Sequence, residues 1–163
     1  MIISGENTDT VKSSRLSSEE LRRLDVRDII PQREPMLMIS RITDFSPESC
    51  ITETEIKPGN ILVEEGHFSC AGIVENMAQT CAALLGCVDR FMRDNEISIG
   101  YIGAVKDLKI NRLPSCGETI RTEVKVVTEA FGMTLVDATT YSCDEILASG
   151  ELKIALAPKE DEK

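Results

Sequence analysis

The chain has 163 residues, 28 of them acidic against 18 basic, for a net charge of −10. That balance argues against non-specific binding to nucleic acid or to an anionic membrane surface, and no Lys/Arg cluster interleaved with aromatics offsets it. Hydrophobic residues make up 42% of the chain, with no Trp, two Tyr and four Phe, so one soluble domain with a mainly aliphatic core is expected. Six cysteines show neither a C-x-x-C pair nor Cys/His metal spacing, and "MIISGENTDTVKSS" lacks the basic and apolar regions of a signal peptide. The thiols therefore read as reduced and mostly buried, the protein as cytoplasmic, and no metal site is expected.

Residues 1–17 are polar and Ser/Thr-rich and read as a mobile arm; residues 18–157 read as a single domain and residues 158–163, "PKEDEK", as a charged tail. In "SSEELRRLDVRDIIP", Ser17 or Ser18 can cap a short helix with Glu19 and Glu20 in its first turn, and Pro31 stops the next segment. "PMLMISRITDF" reads as a strand from Met36 to Phe45. "CITETEIKP" reads as a second, in which Ile51, Glu53 and Glu55 alternate with Thr52, Thr54 and Ile56. A long helix follows over about residues 70–93, with Arg90 and Arg93 suited to the negative end of its dipole. Four strand-like runs come next, "ISIGYIGAVKDLKI", "ETIRTEVKVVTEA", "MTLVDATTYSC" and "EILASGELKIALA", separated by "NRLPSCG", "FG" and "DE". The expected fold is α+β: a sheet of about six mostly antiparallel strands wrapped around one long central helix.

Between Ala71 and Val88 the only charged residue is Glu75. Asn76, Gln79 and Thr80 in the same stretch argue against a membrane span and for a helix buried in protein. At 100° per residue, Ile73, Val74, Met77, Cys81, Leu84, Leu85 and Val88 share a face that must lie on the sheet. The opposite strip holds Glu75, Gln79, Ala82 and Gly86; its small residues let another backbone approach, so a second subunit or a narrow pocket is expected there, with a covering loop as the alternative. A carboxylate near the first turn is favoured by the helix dipole alone, whereas burial would raise its pKa and make it a proton donor near neutrality. The only histidine, His67, stands in "GHF" just before the helix; taken alone, such a residue is more often structural than catalytic. The N–H groups of Cys70, Ala71 and Gly72 at the helix start are placed to polarise a carbonyl. An acid, a base and an oxyanion site in one region form a layout for moving protons beside a thioester or ketone.

"DVRDIIPQREPMLMISRITDF", "GHF", "ENMAQTCAALLG" and "IGAVKDLKINRLPSCGETI", in this order, resemble the β-hydroxyacyl-(acyl carrier protein) dehydratase family of the hot-dog fold over about residues 25–157. The resemblance implies a sheet wrapped around a central helix, a homodimer or trimer of dimers, and dehydration of (3R)-3-hydroxyacyl chains carried as phosphopantetheine thioesters, with no other cofactor. It places the catalytic histidine on His67 and the catalytic acid on Glu75, and implies a site shared across a dimer. Two departures stand out: Gln32 occupies the position of a usual histidine in the family's Pro-His-Arg motif, and the loop after "GHF" is cut to "SCAGIV". The missing loop leaves Cys70, Ala71 or Gly72 to supply the oxyanion donors. A short loop resembles the subgroup associated with aryl-polyene and flexirubin-type pigment synthesis.

The mechanism implied has His67 removing a C2 proton, the helix-start N–H groups holding the thioester oxygen, and Glu75 protonating the departing 3-hydroxyl. Gln79, one turn after Glu75, either orients that carboxyl group or merely packs. Two other readings remain: an acyl thioesterase on the same fold, and a non-catalytic acyl- or carrier-binding subunit. Acyl carrier protein and coenzyme A are both possible carriers. An acidic carrier protein needs a local basic patch, for which Arg90, Arg93, Lys106, Lys109 and Arg112 are candidates.

Overall fold

The computed structural model describes residues 16–93 and 96–157. The expected charged tail, and all but the last two residues of the expected arm, lie outside the described residues. Those last two belong to the folded body: Leu16 packs on the core, and Ser17 caps helix α1 (Ser18–Arg23). The cap is reciprocal, with the Ser17 hydroxyl accepting from the Glu20 N–H and the Glu20 carboxylate accepting from the Ser17 N–H.

Six strands form one sheet: β1 (Arg41–Ser46), β2 (Ser49–Glu55), β5 (Gly100–Ile110), β6 (Thr119–Ala130), β7 (Met133–Ser142) and β8 (Glu145–Leu156). Their order is β1-β2-β6-β7-β8-β5, and every pairing is antiparallel. Two short strands, β3 (Val63–Glu64) and β4 (His67–Phe68), make a separate ribbon. Helix α2 (Cys70–Cys87) lies against β1, β2, β5, β6 and β7, so the sheet wraps it as expected of a hot-dog fold. With its continuation to Arg93 it is long and apolar enough to cross a membrane, yet 61% of its apolar window is buried inside the protein.

Several local expectations are corrected. The first strand begins at Arg41, not Met36, because side chains of α2 take the backbone groups of Met36 and Met38 that a neighbouring strand would otherwise pair. The last turn of the long helix, Val88–Arg93, is π-helical; there the buried Asp89 accepts the Ser98 N–H and meets Arg93 at 3.5 Å. The final turn is Cys143–Asp144, since Glu145 already pairs with Ser142. Strand β2 buries its threonine side, Thr52 and Thr54 with Cys50 and Ile56, while Ile51 stays half-exposed. The core is otherwise aliphatic, with Phe45 and Phe68 its buried aromatics.

The strip opposite the sheet on α2 divides in two. Gln79 and Gly86 are fully covered by the segment that precedes β1; a Cβ on Gly86 would stand 2.2 Å from the Ile29 carbonyl oxygen. This half of the strip thus faces neither a pocket nor a second subunit. Glu75 and Ala82 remain half-exposed, as do Val74, Leu85 and Val88 from the face assigned to the sheet. The helix is buried from two sides, which a single-sheet reading of its periodicity does not anticipate.

Candidate active site

The ribbon β3–β4 is closed by Glu65 and Gly66, with φ of 49° and 79°. Both central residues are left-handed, as the favoured two-residue hairpin turn requires, and Gly66 adopts that conformation without strain. His67, the first residue after the turn, is exposed, and its Nδ1 lies 3.0 Å from the Glu65 carbonyl oxygen. A carbonyl only accepts, so this contact puts the ring proton on Nδ1 and leaves the Nε2 lone pair free to act as a base. A strap on the other side fixes the ribbon: the Phe68 N–H donates to Pro114 at 2.8 Å, the Cys116 N–H donates to Gly66 at 2.9 Å, and His67 bridges Ser115.

Immediately after the ribbon, Ser69 caps α2, its hydroxyl accepting the Gly72 N–H at 3.2 Å. Of the three proposed oxyanion donors, Gly72 is therefore engaged; those of Cys70 and Ala71, both exposed, stand at the helix start without an acceptor among the described residues. Gly72 has a packing role instead: a Cβ there would meet the Phe68 ring at 2.5 Å.

Glu75 is half-buried, and its Oε1 accepts from Gln79 Nε2 at 2.8 Å. Gln79 is itself held, accepting the Met38 N–H at 2.7 Å and donating to the Met36 carbonyl at 2.6 Å. Behind it Asn76, fully buried, donates to the Met38 carbonyl and to Thr54, and accepts from Thr122 at 2.6 Å. Thr122 continues to Thr140, and Thr80 joins Thr52. In the sequence, Asn76 serves only as a sign of a helix buried in protein, and this network is not anticipated, although a buried amide must find partners.

A cleft of about 150 Å³ opens beside Glu75, between Ala78 and Ala82 of α2 and Tyr101 and Ile102 of β5. Gln32 also lines it, and the buried Oε1 of Gln32 has no hydrogen-bond donor. His67 borders a different cleft, with Glu64, Ser69 and Leu113. One chain thus does not bring His67 and Glu75 into a common pocket. A larger groove, about 880 Å³, lies between α1 and the end of β2 and touches neither residue.

The proposed docking cations do not form a uniform free patch. Arg112 forks onto Glu118 and Glu145, Arg93 meets Asp89, and Arg90 donates to the Asp28 carbonyl. Lys106 and Lys109 are exposed on β5. Of the six thiols, Cys50, Cys81 and Cys87 are buried; burial pushes Cys81 and Cys87 up to about 12, which keeps them unreactive. Cys70 and Cys143 are exposed and Cys116 is half-exposed, so burial accounts for half of the set and not most of it.

Residues 24–163 match the model of the ApeP-like family, described as ApeP dehydratase. Among curated proteins, the chain is 28% identical over 145 residues to the 3-hydroxyacyl-(acyl-carrier-protein) dehydratase FabZ of Clostridioides difficile strain 630, covering 83% of this chain and 96% of that one. It is 32% identical over 111 residues to FabZ of Latilactobacillus sakei subsp. sakei, covering 64% and 75%. Among solved structures it resembles the dehydratase heterocomplex ApeI:P from Xenorhabdus doucetiae, with TM-score 0.77, 16% identity, and coverage of 85% and 94%. A hypothetical thioesterase with coenzyme A from Streptococcus pneumoniae TIGR4 shares the fold at TM-score 0.59 and 7% identity, with coverage of 74% and 87%. With the family model spanning nearly the whole folded domain, the chain belongs to the ApeP-like dehydratases, lyases of the hot-dog fold.

Proposed function

We propose that the protein converts (3R)-3-hydroxyacyl thioesters, carried on the phosphopantetheine arm of an acyl carrier protein, to trans-2-enoyl thioesters. The observation that carries this reading is Glu75, held by Gln79 at the wall of an apolar cleft, in the position where the family motif has its acid. The Nε2 of His67 takes the C2 proton as the C2=C3 bond forms. The N–H groups of Cys70 and Ala71 hold the thioester oxygen as it gains charge. The C3–O bond breaks while Glu75 gives its proton to the leaving oxygen, so one water departs, and exchange with solvent restores both groups. The unpartnered Gln32 Oε1 is an acceptor that the substrate's 3-hydroxyl can satisfy before it leaves. The reading needs no metal and no cofactor besides the carrier's arm.

Because His67 and Glu75 border separate clefts, the complete site needs the partner's His67 opposite Glu75. Strand β5 ends the sheet and exposes Tyr101, Ile102, Val105 and Leu108, an edge suited to a second hot-dog chain. That partner is a copy of this chain, giving a homodimer or a trimer of dimers; a heterocomplex such as the one named for ApeI:P is the other arrangement. Arg112 drops out as a docking cation, and Lys106 and Lys109 take the lead in meeting an acidic carrier; reversing both charges is expected to weaken turnover of carrier-bound substrate.

The test is mass-monitored turnover of 3-hydroxyacyl thioesters of several chain lengths by the wild type, His67→Ala and Glu75→Gln. Loss of water by the wild type, reduced roughly 10²–10⁴-fold in each variant, supports the reading. Release of free acid identifies the thioesterase chemistry of the same fold. Bound acyl chain without turnover, restored only by a second hot-dog protein, identifies a non-catalytic subunit.

A further inference from the structure

We propose that Arg112 and Glu118 are positioning residues for His67, an inference that rests on the base assigned to His67 above. Arg112 stands at the start of the strap that runs under the His67 ribbon. Its two terminal nitrogens reach both oxygens of Glu118, at 2.9 and 3.0 Å, and the same side chain reaches Glu145 on β8 at 2.8 Å. Glu118 also accepts from the Ser115 N–H at 2.5 Å and from the Ser142 hydroxyl of β7 at 2.9 Å. One carboxylate therefore ties the strap to the sheet at four donors, two from the guanidinium, one from the strap and one from β7.

The strap passes this restraint on. Ser115, whose N–H Glu118 holds, is the residue that bridges His67. Its neighbours Pro114 and Cys116 make the hydrogen bonds to Phe68 and Gly66 on either side of the imidazole. The turn they brace carries Glu65 at φ 49°, a left-handed conformation that a residue with a Cβ adopts reluctantly. That conformation aims the Glu65 carbonyl at His67 Nδ1. The chain of contacts thus runs from Arg112 through Glu118, Ser115 and the ribbon to the tautomer of the base. A ring held with its proton on Nδ1 presents Nε2 to the substrate, whereas a released ring divides between tautomers and orientations. Arg fits this place better than Lys, because a planar fork meets both oxygens of Glu118 side by side while still reaching Glu145.

His67 is the sole histidine of the chain, so its ring nitrogens give one isolated pair of signals in 15N-labelled protein. These are to be recorded for the wild type, Arg112→Lys, Arg112→Met, Glu118→Gln and the exposed-pair control Arg23→Met, with kcat and KM measured in parallel. The expected result is Nδ1-protonated imidazole in the wild type and the control, and a shift towards the mixed tautomers of free histidine in the three clamp variants. In those variants kcat is expected to fall roughly 10- to 100-fold with KM within about twofold, since a small misplacement of a catalytic group acts on the chemical step. Amide exchange at Phe68 and Cys116 is expected to speed up in the same variants, even where the thermal midpoint hardly moves. Unchanged imidazole signals in folded Arg112→Met and Glu118→Gln overturn the inference. The imidazole readout needs no substrate, so wild-type signals that respond to the clamp while His67→Ala keeps full turnover would reject the assigned base and leave the coupling standing.

Discussion

Glu75 and His67 are supported by opposite means. Glu75 sits on α2 in front of neutral side chains, Gln79, Asn76 and the threonines of the sheet, nearly all fully buried. His67 sits on an exposed two-residue hairpin, held by main-chain hydrogen bonds to a strap that a charged cluster pins down. The side chain that holds Glu75 is a neutral amide, itself fixed to the backbone of Met36 and Met38. The imidazole is braced at a distance instead: the charges of Arg112, Glu118 and Glu145 act on the strap and through it on the ring. The support of Glu75 is thus part of the core, and that of His67 lies at the surface.

That contrast can be broken at three points. Replacing Asn76 with Ala strips partners from the Met38 carbonyl, Thr54 and Thr122 together. Each of the three keeps a second partner, Thr54 on the Met38 carbonyl and Thr140 on Thr122, so at about 0.5–1.5 kcal/mol for each hydrogen bond lost a loss of roughly 1.5–4 kcal/mol is expected in urea unfolding. A loss below about 1 kcal/mol would mean that the threonine lattice repairs itself. Gly86→Ala drives a methyl group into the Ile29 carbonyl and side chain and is expected to cost about 1–3 kcal/mol, read from the thermal midpoint. A neutral result there would show that the segment before β1 is not fixed on α2.

The smallest effect concerns the surface clamp and depends on pH. Arg112, followed by the Ser115 N–H, holds the Glu118 carboxyl down at about 2 against an ordinary 4.5. A lowered carboxyl stabilises the fold above its ordinary value, and that contribution is lost as pH falls from about 4.5 towards 2. The thermal midpoints of wild type and Arg112→Met should therefore differ most above pH 5 and converge as pH drops to about 2. A constant gap would mean that Glu118 does not titrate with the clamp. Near neutral pH the clamp stays charged.

The residues of the candidate site stand out in the chain as written. "GHF" and "ENMAQ" mark His67 and Glu75 because a lone imidazole and a lone carboxylate flank one apolar helix start, and the spacing of Glu75 and Gln79 predicts their hydrogen bond. The four late strands followed from strand-like runs between turn residues such as "FG", where Phe131 and Gly132 both take positive φ, while the last turn came out one residue earlier than "DE". What was not legible depends on contacts between segments distant in sequence. Gln79 and Gly86 sit on the strip expected to be open, and only the path of residues 29–38 over α2 buries them. Arg112 reads as a free cation until the fold brings Glu145, thirty-three residues away, onto the same fork.

By itself, then, the sequence determined the strand and helix periods, the central helix and the two residues that carry the proposed chemistry, because periodicity and residue type are local properties. The tertiary structure alone decided which polar groups are satisfied, which glycines admit a neighbouring backbone and which charges are already paired. Hydrogen bonds and ion pairs act over a few ångströms of space, and only the folded chain turns distance along the sequence into distance in space.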